Sequence, residues 1–500
     1  MLKKYSFIIC FFISNLSLEL NFLYAQKQAN NWYFGDSAGI SFSQNTPIKL
    51  DDSRMASNGG ATVSQSHPFT GQLLFYSNGE SVWNRDHNVM LNGEVLMGTS
   101  YSTNSAYTVP NPGNSNQYYL FTVKTDPFVS ETQFRSATIY YSSIDMTLDS
   151  GKGAVVEQEK NILLEDSVTE KIVAIPHRNG KGYWVILHQV NNNTFSIYQV
   201  TASGISINQQ VSIGTPHFYT LTELQGHMKA SPDNQRVAVT LRSSIPPSPF
   251  EVFDFDNSTG VLSNAQYLGD YALQYGVSFS PNSKLLYLNG YAVTGVESGD
   301  AIYQFNLEDD NPIATRKGIL RLNPAFSSIS GLANLSLQIG PDGKIYGAGN
   351  LSETSILQNS LLVINQPNEV GLASDVTILN LNWSDIRVGI DLPNFIQSDF
   401  NNLTPSNNPN APCTGRDSFI LFPNPTSSTI EINVTERCFS PYKLSIYNVL
   451  GQFIESYEVS ETNSGTIDTS YLSAGVYLAV LEIGPSRITK RFMKLDGFRD

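Results

Sequence analysis

Six times between residues 60 and 346, a short run rich in β-branched and aromatic residues reaches a proline at a polar turn, and a second apolar run follows at once. Gly276-Val-Ser-Phe-Ser-Pro281 before Lys284-Leu-Leu-Tyr-Leu288 is the plainest example. The others place Pro68, Pro110, Pro176, Pro232 and Pro341 ahead of the runs 72–76, 117–121, 182–186, 235–239 and 343–346. The turns hold Asn179-Gly180, Asp233-Asn234, Asn282-Ser283 and Asp342-Gly343. Such residues tolerate left-handed backbone and close hairpins. Proline has no amide donor, so it suits a strand end and not a sheet interior. A seventh first strand, Gly389-Ile-Asp-Leu-Pro-Asn394, has no second strand after it. The missing strands stand at the other end of the chain, as Asn31-Trp-Tyr-Phe-Gly35 and Gly39-Ile-Ser-Phe42.

The seven prolines are separated by 42, 66, 56, 49, 60 and 52 residues. Helical solenoid repeats are shorter and carry a period of 3.6, whereas four-stranded sheets set around a ring fit this spacing. Closing the last sheet with N-terminal strands removes free edges that would template aggregation. The expectation is therefore an all-β chain: a seven-bladed β-propeller over residues 26–400, closed by N- and C-terminal strands. A row of unrelated β-sandwiches with ordinary hairpins is the rival. Charged residues make up 15% of the chain, aromatics 11%, and the net charge is −14. That balance excludes a phosphate-binding surface, which needs clustered Lys and Arg, so no nucleic-acid partner is expected.

Met1-Leu-Lys-Lys4 precedes an apolar stretch over 6–13, and Ala25 is small. This is the pattern of a secretory signal peptide over residues 1–25, cut between Ala25 and Gln26. The stretch is too short to span a bilayer, and no later segment is long and apolar enough. Cys10 falls in the leader; Cys413 and Cys438 could pair in an oxidising compartment, which sequence leaves open.

Residues 401–416 are rich in Pro, Asn and Ser and form a linker. Over 417–496, alternating strands (429–434, 443–447, 475–481, 488–494) predict a small Ig-like β-sandwich. Three blocks stand in order there: Phe422-Pro423-Asn424-Pro425; Ile446-Tyr447-Asn448-Val-Leu-Gly451-Gln452; and Asp468-Thr-Ser-Tyr-Leu-Ser-Ala-Gly475-Val-Tyr477, followed by Lys490. This segment resembles the C-terminal sorting domain of type IX secretion substrates. The resemblance implies Sec export, passage across the outer membrane, a release or surface-attachment step, and the type IX machinery as partner. The turns Ser231-Pro-Asp-Asn234, Ser280-Pro-Asn-Ser283 and Gly340-Pro-Asp-Gly-Lys344 resemble those of WD-like, TolB-like and lactonase-like bacterial propellers. Trp32-Tyr-Phe-Gly35, Leu73-Leu-Phe-Tyr-Ser-Asn-Gly79, Val82-Trp-Asn-Arg-Asp-His-Asn88 and Val109-Pro-Asn-Pro-Gly-Asn114 are similar to secreted Bacteroidetes propellers.

Chemistry is sparse. No zinc-protease helix, serine elbow or phosphate loop occurs, and no cofactor, metal or catalytic residue is expected. Asp254-Phe-Asp-Asn-Ser-Thr-Gly260 starts like a calcium loop but lacks the downstream Glu and suits a hairpin turn better. Trp83-Asn84-Arg85-Asp86-His87 is the densest polar–aromatic cluster. It is the candidate loop for stacking and hydrogen-bonding an extracellular glycan or protein; the structural alternative is an Arg85–Asp86 turn with Trp83 packed between sheets. Two functions compete. One is a secreted or surface-displayed binding propeller. The other is a propeller hydrolase, lactonase-like or glycan-cleaving, with a site on the ring axis built from His177, His227, Lys229 and Asp391.

Overall fold

The computed structural model describes residues 27–44, 46–56, 59–125, 136–218, 222–243, 248–292, 300–321, 334–349, 359–383, 386–401, 403, 419–422, 426–434, 442–449, 451–459, 464–483 and 486–495. Cys413, Cys438, Ala25, Gln26 and Pro423–Pro425 lie outside them. The chain divides into two compact units, one of residues 26–412 and one containing 413–500. Both are all-β: the helices among the described residues are 3-10 turns of three or four residues. None is long and apolar enough to cross a membrane.

The larger unit is a succession of antiparallel sheets. Val63–Ser66, Leu73–Ser77 and Val82–Asn84 form the first after an N-terminal sheet of Asn31–Phe34, Ala38–Ser41 and Ile48–Leu50. The later sheets open with Ala106–Pro110, Met228–Ala230, Val277–Phe279 and Ser336–Ile339. Pro68, Pro232, Pro281 and Pro341 sit in the turn after the first strand, and Pro110 and Pro176 end theirs. One long strand, Ile162–Pro176, serves two repeats. Its first half pairs with Ala137–Asp145, its second half with Tyr183–Gln189, and the register shifts between Val168 and Ile172. Two repeats are thereby fused into one eight-stranded sheet. Asp254–Gly260 contains a hairpin turn: Asp256 accepts hydrogen bonds from Ser258 and Thr259, and Gly260 takes φ +77°.

Apolar cores lie between successive sheets, because each sheet is covered on both faces. Val63, Phe75, Leu120 and Ile144 fill the gap between the first two. Val173, Trp184, Met228 and Phe253 fill a later one, and Val252, Tyr271, Val277 and Tyr303 the next. Trp32, Phe34 and Ile40 of the N-terminal sheet share a core with Leu337, Tyr346 and Phe395. The N-terminal strands thus share a core with the last sheet, but they form a sheet of their own and the strand expected to join them at 389–394 is not formed. The connection is an isolated bridge between Asp36 and Arg387. Gly389 adopts φ +77° with its Cα side against Gly35, which breaks extension. Beyond it Asn394 donates its backbone amide to Thr62 O and its side-chain amide to Ala106 O.

The second unit pairs a three-stranded sheet (Phe419–Phe422, Thr429–Val434, Ser464–Asp468) with a four-stranded one. The latter runs Phe453–Val459, Tyr442–Asn448, Gly475–Ile483, Ser486–Lys494. Alternation points Ile430, Ile432, Leu444, Ile446, Ala479 and Leu481 into one shared core.

Candidate functional site

The first strands of successive sheets lie beside one another in chain order. Where they meet, polar side chains converge. His227 precedes Met228–Ala230, Lys229 lies within that strand, Tyr275 precedes Val277–Phe279, and Asp391 comes from the segment after the last sheet. All four are buried. His227 Nε2 lies 2.8 Å from Asp391 Oδ1, and the Tyr275 hydroxyl donates to Asp391 Oδ2 at 2.6 Å. Lys229 Nζ donates to Gln338 Oε1 at 2.8 Å and Asn394 Oδ1 at 3.3 Å. Burial pushes the Asp391 carboxyl up and the His227 imidazole down, each opposed by the other's attraction. Burial likewise lowers Lys229 to about 8.

A second cluster adjoins the register shift in Ile162–Pro176. Glu170 accepts from the Thr103 amide and hydroxyl, both at 2.8 Å, and from the Thr125 hydroxyl at 3.1 Å. Lys171 Nζ donates to the carbonyls of Glu223, Leu224 and Gln225, which matches the three protons of an ammonium; burial pulls it down to about 7. Arg242 reaches Asn334 and Gln225 and lies over the Tyr275 ring. His188 and His217 stack 4.0 Å apart nearby, and burial holds His188 at about 3 and His217 well below its usual value.

Of the axial residues expected from sequence, His227, Lys229 and Asp391 come together. His177 does not: it stacks on Trp184 in the 177–182 hairpin and accepts from the Asn179 amide. Tyr275, Glu170 and Gln338 were missed. Gln338 carries a signal, because it stands three residues before Pro341 as Lys229 stands three before Pro232. Among the described residues no group of three or more His, Cys, Asp or Glu is placed to hold a metal ion.

The 83–87 loop is built differently. Tyr33, Tyr76 and Trp83 form a stacked ladder, with centroids 4.6 and 5.4 Å apart. Trp83 is half-buried at its end. Asn84 is buried and accepts from the Asp86 and Asn88 amides. His87 takes φ +60°; its ring lies between Asp52 and the Tyr76 hydroxyl, each 3.2 Å away. Arg85 is exposed, and Asp86 pairs with Lys152 at 2.8 Å. That ion pair lowers Asp86 and raises Lys152.

In the second unit, Tyr447 packs on Phe453 at 5.7 Å, and Asn448 closes a turn with Gln452 in which Gly451 needs φ +77°. Tyr477 stacks on Phe492 and donates to Ser473 O. Lys490 is half-buried, opposite Ala479, and burial lowers its ammonium. Residues 420–495 match the family of secretion system C-terminal sorting domains. This segment is a type IX sorting domain. It directs its chain to the cell surface or the medium.

None of the curated proteins compared with the chain matches its sequence. Solved structures similar to it include a provisionally assigned 6-phosphogluconolactonase of Bacteroides fragilis (13% identity, 72% of this chain and 96% of that one, TM-score 0.41). Another is a periplasmic gluconolactonase of Pseudomonas aeruginosa (12%, 79% and 94%, TM-score 0.35). A third is a quinoprotein alcohol dehydrogenase-like protein of Bacteroides thetaiotaomicron (10%, 71% and 79%, TM-score 0.37). At these scores none fixes a fold or an activity for this chain.

Proposed function

We propose that residues 26–400 are a seven-bladed β-propeller that binds an extracellular glycan or protein without catalysis, delivered by an Ig-like sorting domain at 417–496. In this reading residues 1–25 are a Sec signal peptide cut between Ala25 and Gln26, and 401–416 a linker. The observation that carries it is that the carboxylates and ammonium groups of the buried network are engaged inside the protein. Both oxygens of Asp391, both of Glu170, and the ammonium groups of Lys229 and Lys171 already have partners inside the protein. Carboxylates and ammonium groups engaged from within hold a core together, whereas a catalytic group must face its substrate. Recognition then belongs to the surface, and the 83–87 loop offers Trp83 and the exposed Arg85 guanidinium. Replacing Trp83 and Arg85 with Ala should abolish capture on glycan and protein arrays. Parent chain that binds neither array above background ends the proposal.

One observation favours a hydrolase instead. His227 Nδ1 is buried and has no hydrogen-bond partner, while Asp391 orients the other nitrogen. That is the arrangement of an aligned general base. Turnover of lactones or glycosides by the purified chain, lost in His227→Gln, would establish this second reading.

A further inference from the structure

Two of the sorting domain's sequence blocks, 446–452 and 468–477, are apart in the chain but meet at one corner of its four-stranded sheet, where Thr426 also joins the edge. Thr426, the residue after Pro425, bridges to Lys494: its amide donates to Met493 O and its carbonyl accepts from the Leu495 amide, both at 2.8 Å. Gly475 is opposite Lys494, and Val476 opposite Met493. Asn448 is opposite Tyr477, and Tyr447 is opposite both Leu478 and Phe453. The 447–452 turn, the start of the 475–483 strand and the end of the 486–494 strand therefore share one end of the sheet.

This end carries apolar surface. Val449 is 63% exposed, Phe453 58%, Val476 37%, Met493 44% and Leu495 46%. Val476 and Met493 are direct cross-strand neighbours on the face turned away from Ile446 and Leu481. Side chains of this size in water cost stability and mark an interaction surface when they cluster. The strand that carries Met493, Ser486–Lys494, has basic and no acidic residues in a chain of net charge −14; Lys494 is buried and Lys490 half-buried. Arg491 on that strand is exposed, opposite Leu478.

We infer that this corner is the surface the type IX export machinery grips, and that the occupant is an apolar groove rimmed by acidic groups. The inference rests on the export reading and adds the residues and the partner's chemistry. Exposed positions tolerate substitution with little effect on folding, so the corner can be changed without unfolding the domain.

The test expresses the full-length chain in a bacterium with a type IX apparatus and measures its distribution between periplasm and cell surface. Phe453→Ser, Val476→Ser and Met493→Ser combined should lower surface delivery about tenfold or more, the loss expected from removing a hot-spot cluster. Periplasmic chain should accumulate, with an unchanged urea midpoint. Arg491→Glu alone should lower delivery several-fold. Tyr471→Ser changes an exposed aromatic that is tied to Glu455 and Tyr457 on the other side of the 453–459 strand. It should export like the parent. Normal delivery of the triple variant overturns the inference, and equal loss in Tyr471→Ser does the same. Normal delivery of Arg491→Glu overturns the acidic rim. Should the triple variant unfold, Arg491→Glu decides alone. Deleting 417–500 separates the two levels: surface delivery of that chain defeats the export reading itself, while its retention beside normal corner variants defeats only the assigned surface.

Discussion

Where the first strands of the larger unit meet, the buried side chains are His227, Lys229, Tyr275 and Asp391; in the sorting domain the two sheets close over Ile430, Ile432, Leu444, Ile446 and Leu481. The first interior is held by hydrogen bonds that must all be made at once. The second is held by apolar contact, and the domain leaves Val449, Phe453 and Met493 in solvent. The contrast follows from what each unit has to do. Sheets packed on both faces leave their polar residues either at the outer edge or at the common meeting point, and there the groups can satisfy one another. The small two-layer sandwich has no such meeting point, and the core between its sheets is apolar. Apolar residues left on its surface then need another explanation, which recognition supplies.

The comparison can be broken at its strongest point by Asp391→Ala. That change strands the Tyr275 hydroxyl and a His227 ring nitrogen in a buried site and should cost about 3–5 kcal/mol. Urea unfolding of the full chain would show it as a lowered midpoint for the larger unit. An unchanged midpoint would mean that the network is incidental.

Next in size is acid sensitivity. His188 and His217 are held neutral by burial, far below the 6.5 of a free imidazole. The unfolded chain therefore takes up protons below pH 6.5 that the folded chain does not. Stability present above pH 6.5 should be lost as pH falls towards 3. Between pH 6.5 and 5 the loss is about 2 kcal/mol per imidazole. His217→Phe should flatten this dependence, whereas a slope unchanged by the substitution assigns the sensitivity elsewhere.

Ile446→Val in the sorting domain should cost about 1 kcal/mol by removing one buried methyl group. Its cost should not change between pH 5 and 7, because no titrating group is among the core residues. A pH-dependent cost would erase the difference between the two interiors. The smallest effect belongs to Asp86→Ala, which breaks the exposed pair with Lys152. It should leave the urea midpoint where it is, and a clear shift would show the 83–87 turn to depend on that pair.

Much of this was legible in the sequence, and the residues show why. The six proline turns mark hairpins because proline and the Asn, Asp and Gly beside it act locally. The four strands read in the tail fall inside strands of the structure for the same reason: their period of two is local too. The joint strand Ile162–Pro176 was not legible. Its continuation through a register shift depends on Ala137–Asp145 offering a free edge, which is a tertiary fact. The missing seventh strand failed for a related reason, since Gly389 is bent by its close approach to Gly35. Where the first strands meet, His227, Lys229 and Asp391 stood out as titratable residues in or beside strands. Tyr275 and Gln338 looked ordinary, and only the repeat phase they share with their neighbours could have marked them. In the 83–87 loop the sequence showed which residues cluster but not that Asp86 would turn to Lys152, which lies 66 positions away.

The proposed division of labour has residues 26–400 fold and bind by themselves while 417–496 supply the address. Cell fractionation of the chain truncated after residue 416, beside the full-length chain in the same type IX-competent host, tests it most directly. The account predicts that the truncated chain keeps the acid-sensitive unfolding of the larger unit and stays in the periplasm while the full chain reaches the surface. Surface delivery of the truncated chain, or its failure to fold, would contradict it.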